Sequence, residues 1–170
     1  MKAENFIFPS ALSCLVKPLD EKTLSWAWAK GLFESHTLLD FYKKQRINWF
    51  ASFLFPEMEE KRLTELTRFF LCLFLIDDYW DKISLKDAKT LVEGFTGIEP
   101  LGQNHLFQVL TRETLLLKSK ICLSYQPDWA YHFEKLWQDY IEGLLWELKV
   151  KTSGHFPPIR DYQIMRPHSS

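Results

Sequence analysis

Eight apolar residues in succession, Phe69 to Ile76, run directly into Asp77-Asp78-Tyr79-Trp80-Asp81. The run is far shorter than the ~20 residues that span a bilayer. Upstream of and within it, Leu63, Leu66, Phe70 and Phe74 recur at three- and four-residue steps, the spacing of one helix face. The segment reads as a long buried helix beginning near Pro56-Glu57 and ending in three carboxylates, with acids in its first turn suiting the helix dipole. A helix of that length needs other helices to cover it.

The rest of the chain supplies them, because almost every segment has helical periodicity and none pairs β-branched alternation with a hairpin signal. The fold class is all-α, a helical bundle. Asp20 can cap a first helix carrying Leu24, Trp26, Trp28 and Leu32, and a second helix runs from about Thr37 to Leu54, stopping before Pro56. Ser84 with Asp87 three residues on resembles a capping box for a short helix that the Gly94 to Gly102 region ends. Another follows Pro100 to about Leu123. Gln126-Pro127-Asp128 then opens a helix with Trp129, Phe133, Leu136, Trp137, Tyr140 and Leu144 along its core face. Thr152 to Pro158 breaks the pattern, and Ile159 to Arg166 resumes it.

At 170 residues, 46% hydrophobic and 16% aromatic, the chain has material for one core, and residues 1–170 read as a single domain. A net charge of −1 from 21 basic and 22 acidic residues carries no nucleic-acid signature. Cys14, Cys72 and Cys122 are odd in number and set among apolar residues, which fits reduced core cysteines. A signal peptide is weakly supported, since the apolar residues 6–16 contain Pro9 and lack a small-residue cleavage site; the expected location is the cytoplasm.

In a helix Asp77 and Asp81 lie on one face about 6 Å apart along the axis, and Asp78 lies about 100° round. Phe74 and Phe70 continue the stripe below them. Like charges at this spacing and aspartate's poor helix propensity together cost about 1–2 kcal/mol, so stability does not explain the arrangement. Spacing alone leaves two readings open: a solvated helix end, or a metal site. If a metal binds, oxygen-only ligation without nearby His or Cys favours magnesium. His36, His105, His132, His155 and His168 have no ligand spacing and read as surface or packing.

The run Phe74-Leu75-Ile76-Asp77-Asp78-Tyr79-Trp80-Asp81 resembles the aspartate-rich DDxxD motif of class I terpene synthases, as it stands in the bacterial cyclases. Trp26-Ala27-Trp28 is similar to the family's early tryptophan-containing helix, and Leu54-Phe55-Pro56-Glu57 to the family's approach to the motif helix. Gly154-His155-Phe156-Pro157-Pro158-Ile159-Arg160-Asp161-Tyr162-Gln163-Ile164-Met165-Arg166 resembles the phrase before the family's helix break. The resemblance covers nearly the whole chain. It implies the isoprenoid synthase bundle and magnesium-dependent ionisation and cyclisation of a prenyl diphosphate, with farnesyl diphosphate favoured and a sesquiterpene as product. Asp77 and Asp81 would hold Mg2+ with Asp78 in support, Arg166 would bind the diphosphate, and Phe74 would face the cation as a catalytic aromatic.

The family's second metal motif, Asn, Ser and Glu at four-residue spacing, has no match after residue 81. The resemblance therefore implies a domain truncated after its N-terminal half, inactive or impaired alone, with an uncovered apolar face that favours self-association. Two other readings stand beside it: a fragment of a prenyl chain-elongating synthase, and a non-enzymatic helical interaction module.

Overall fold

The computed structural model describes residues 11–80, 82–96 and 104–165. Among them the chain forms α-helices and no strand: α1 (Val16–Ala29), α2 (His36–Gln45), α3 (Trp49–Leu54), α4 (Glu60–Trp80), α5 (Leu85–Phe95), α6 (His105–Leu123), α7 (Pro127–Ser153) and α8 (Ile159–Met165). The all-α expectation holds. None of these helices is long and apolar enough to cross a membrane.

The central helix is α4, about 30 Å long at 1.5 Å per residue. Its buried positions, among them Leu71, Cys72, Leu75 and Ile76, leave little of its C-terminal half uncovered. They share one core with Leu91 of α5, Leu110, Leu117 and Ile121 of α6, and Trp137, Ile141 and Leu144 of α7. Each such aliphatic side chain contributes about 1.5–3 kcal/mol by leaving water. A smaller cluster of Leu19, Ala51 and Leu63 joins α1, α3 and the start of α4, with Phe70 packed on it.

One charge lies inside this packing. Glu113 of α6 is 3% exposed and accepts from Lys30 Nζ, beyond the end of α1, at 3.0 Å and from Arg112 at 3.3 Å. A carboxylate left alone at that depth would cost several kcal/mol, so the pairing is a condition of burying it.

Three local expectations need correction. Asp20 does not cap α1, because the helix already begins at Val16 with Leu15 in the cap position; inside it, Asp20 accepts from Asn48 Nδ2 at 3.0 Å and from Trp49 Nε1 at 3.3 Å. The same contacts help to divide the expected 37–54 helix. It stops at Arg46, which takes the left-handed conformation at φ 55° and lays its guanidinium 4.6 Å from the Trp49 ring centre, and restarts as α3. The motif helix starts at Glu60 rather than 56–57, since Pro56 lies within a turn in which Met58 N–H donates to the Phe55 carbonyl. The Ser84–Asp87 box does form: Ser84 Oγ accepts from Asp87 N–H and donates to Asp87 Oδ2.

The cysteines also divide. All three are free, but Cys14 is exposed before α1, Cys122 is half-buried in the last turn of α6, and only Cys72 is buried. Burial pushes the Cys72 thiol up to about 12, Glu113 adding to the effect and a Thr114 hydrogen bond opposing it. Because the thiolate is the nucleophile, Cys14 should react with an aromatic disulfide reagent in the native protein and Cys72 only on unfolding. Modification of Cys72 at the rate of Cys14, read by peptide mass spectrometry, would show that the core is open.

Candidate functional site

The C-terminal end of a helix is its negative pole, where the last carbonyls lack intrahelical partners. Asp77 and Asp78 stand exposed in the last turn of α4, between buried Ile76 and buried Trp80. Carboxylates are disfavoured there unless donors or cations approach from outside. Two helices distant in sequence supply such groups.

From α2, Tyr42 is 2% exposed and donates its hydroxyl to Asp78 Oδ2. Burial above all, then the bond to Asp78 and the charges of Asp78 and Asp77, hold this phenol far above its ordinary titration. From α7, Lys151 Nζ donates to the Trp80 carbonyl at 2.9 Å and lies 5.8 Å from the Trp80 ring centre. Tyr140, about three turns earlier on α7, is half-buried, and its phenol is raised first by desolvation and then by the charges of Asp77 and Glu147. Tyr79 is pushed up to about 12, again chiefly by burial, with Glu34 and Asp78 adding to it. The two aspartates thus face different surroundings, Asp78 tied to α2 and Asp77 within electrostatic reach of α7.

Phe74 is half-buried one turn below. Its ring lies 5.8 Å from that of Phe50 on α3, at 81°, and Phe50 also meets Phe70 at 5.1 Å and 84°. Phe50 is 42% exposed, so these three rings form an aromatic edge open to solvent on one side. Asp81 and Arg166 lie outside the described residues. Among the described residues no group of three or more His, Cys, Asp or Glu could hold a metal. The acids present, Asp77 and Asp78, are hard oxygen donors, which suits a hard divalent ion such as magnesium. His36 stacks on Trp28 at 4.1 Å, in keeping with a packing role.

Tyr42, Phe50, Tyr140 and Lys151 were not singled out as site residues from the sequence. Tyr42 and Lys151 meet the motif across separations of 36 and 71 residues, and nothing in their local sequence marks that meeting.

The solved structure of an a-eudesmol synthase matches with TM-score 0.69 at 17% identity, over 99% of this chain and 57% of that one. A variant of SVS_A2, from ancestral sequence reconstruction, matches with TM-score 0.70 at 16% identity, over 94% and 49%. The fold is therefore that of the helical terpene synthases. The sequence profile described as terpene synthase family 2, C-terminal metal binding, matches residues 68–170, and the chain belongs to this family.

Two bacterial relatives agree with that assignment. The (+)-eremophilene synthase of Sorangium cellulosum (strain So ce56) is 27% identical over 98% of this chain and 53% of its own length. The (−)-delta-cadinene synthase of Streptomyces clavuligerus is 26% identical over 81% of this chain and 43% of its own. The chain spans about half the length of these relatives.

Proposed function

We propose that this chain is the motif-bearing part of a class I terpene cyclase that ionises and cyclises farnesyl diphosphate to a sesquiterpene with Mg2+. The observation that carries the reading is the end of α4, where Asp77 and Asp78 are held exposed at a helix's negative pole within a terpene synthase fold. The names of the two bacterial relatives support the cyclase class, and their products support the farnesyl chain length.

Asp77 and Asp81 would hold the magnesium, and Asp78 would support them. Bound there, the ion neutralises charge that develops on the leaving diphosphate. Arg166 is suited to the diphosphate because a planar, permanently charged guanidinium can donate two parallel hydrogen bonds. Phe74 offers a π-face to the allylic cation, worth about 0.5–2 kcal/mol. Its neighbour Phe50 extends the same aromatic edge.

The test is incubation with farnesyl diphosphate and MgCl2, followed by gas chromatography of an organic extract. Hydrocarbon or alcohol products dependent on the metal are expected from the catalytic protein that contains this segment. Absence of product both from this chain and from longer products of its gene would overturn the cyclase reading. A longer prenyl diphosphate on addition of isopentenyl diphosphate would point to a chain-elongating synthase instead.

A further inference from the structure

We propose that Tyr42 and Lys151 are positioning residues that clamp the acidic end of α4 from opposite helices, Tyr42 by the Asp78 side chain and Lys151 by the main chain at Trp80. The consequence for metal binding rests on the reading of Asp77 and Asp81 as ligands. The clamp itself stands on geometry.

Left to itself, the last turn of α4 has reason to fray. Its carbonyls lack intrahelical partners, and its aspartates lie at the negative end of the dipole. Helix ends open most easily where few buried contacts and few hydrogen bonds hold them. Lys151 answers the first deficit by donating to the Trp80 carbonyl, and its positive charge sits where a helix C-terminus favours one. Tyr42 answers the second by giving Asp78 a donor.

Tyr42 is well built for this use. At 2% exposure its hydroxyl cannot turn to water, so it needs a partner inside the protein, and its bond to a carboxylate belongs to the stronger, charge-assisted kind. The ring has little freedom to leave, being flanked by Phe33 at 5.2 Å and Phe41 at 6.0 Å. Because Asp77 stands about 100° round the helix from Asp78, fixing Asp78 on the α2 side fixes the direction in which Asp77 leaves α4. On the α7 side, Tyr140 lies within electrostatic reach of Asp77. A ligand pair preset in this way loses less freedom when it takes a cation, which is why supporting hydrogen bonds matter to metal affinity.

A purely structural role, docking α2 onto the bundle, is the competing explanation for the Tyr42 bond. Hydrogen–deuterium exchange and a Mg2+ titration separate the two. The chain is compared with Tyr42→Phe and Lys151→Met, and with Asp78→Asn should Tyr42→Phe fold poorly. Exchange is read on peptides covering the end of α4, its middle and α2, and Mg2+ is titrated in inorganic pyrophosphate by thermal shift.

The clamp predicts that exchange at the end of α4 quickens about threefold or more while the middle of α4 and α2 hold their rates. It also predicts that the Mg2+ concentration for half-maximal stabilisation rises about tenfold, the usual scale for losing an outer-shell partner. Unchanged exchange at the end of α4 overturns the proposal. So does faster exchange confined to α2 with the Mg2+ midpoint unmoved, which is the signature of docking alone. If the parent chain shows no Mg2+ response, the metal reading fails, and the exchange data still decide the clamp.

Discussion

On the proposed cyclase reading, replacing Asp77 with alanine in the catalytic protein that contains this segment is expected to lower product formation from farnesyl diphosphate by about a hundredfold or more, the scale on which enzymes lose rate when one preorganised charge-stabilising group is removed. The melting temperature without metal should not fall. An aspartate at the negative pole of α4, beside Asp78, opposes folding by a few tenths to about 1 kcal/mol. Activity and stability should therefore move in opposite directions in this one variant. Gas chromatography gives the first measurement and differential scanning calorimetry the second. A variant that loses both together would mean that Asp77 serves the fold rather than a ligand.

The second large effect belongs to Trp137. This side chain is 6% exposed, and its ring meets Phe95 of α5 at 5.3 Å, Phe69 of α4 at 6.2 Å and Tyr140 of its own helix at 5.5 Å. Lys118 of α6 lies 5.8 Å from the ring centre, so four helices meet at one indole. Trp137→Ala should cost about 3–5 kcal/mol through lost burial and the cavity left behind. For a chain of this size that is a fall of about 6–20 °C in melting temperature. Trp129 is the control. It stacks with Tyr125 at 4.2 Å and Phe133 at 5.0 Å but is 39% exposed, and its alanine variant should lose about 1 kcal/mol. Equal losses at the two positions would show that the core is not centred where α4 to α7 meet.

The difference between these two tryptophans marks what a reader of the sequence can and cannot see. Both fall on the apolar stripe of one helix at a multiple of four residues, and only the number of helices that reach each of them separates hub from margin. Local signals are legible in the same way that the Ser84 cap is, because Ser84 and Asp87 lie within one turn. Pro127 at the start of α7 and Gly154 in the left-handed conformation at its end are legible for the same reason. The break at Arg46 is not. No glycine or proline stands there; Asp20 takes the hydrogen bonds of Asn48 and Trp49, while Arg46 itself lies over the Trp49 ring.

The site divides along the same line. Asp77, Asp78 and Phe74 can be picked out because charge and aromaticity coincide at helical spacing. What surrounds them comes from α2, α3 and α7, through single contacts that carry no periodic mark. A phenol such as that of Tyr42 looks, in sequence, like any other core aromatic.

The partly buried ion pair between Lys30 and Glu113 sets a timetable for synthesis. Its two halves are separated by 83 residues, so at about 5–20 residues per second Lys30 waits on the order of 4–17 s for its partner. Over that interval the emerging N-terminal helices lack α6, whose leucines complete the packing around α4. The α1–α4 segment must spend those seconds with its hydrophobic face open to whatever else is in the cell. A nascent chain stalled before Glu113 should therefore be a preferred client of chaperones, and one stalled beyond α7 should not.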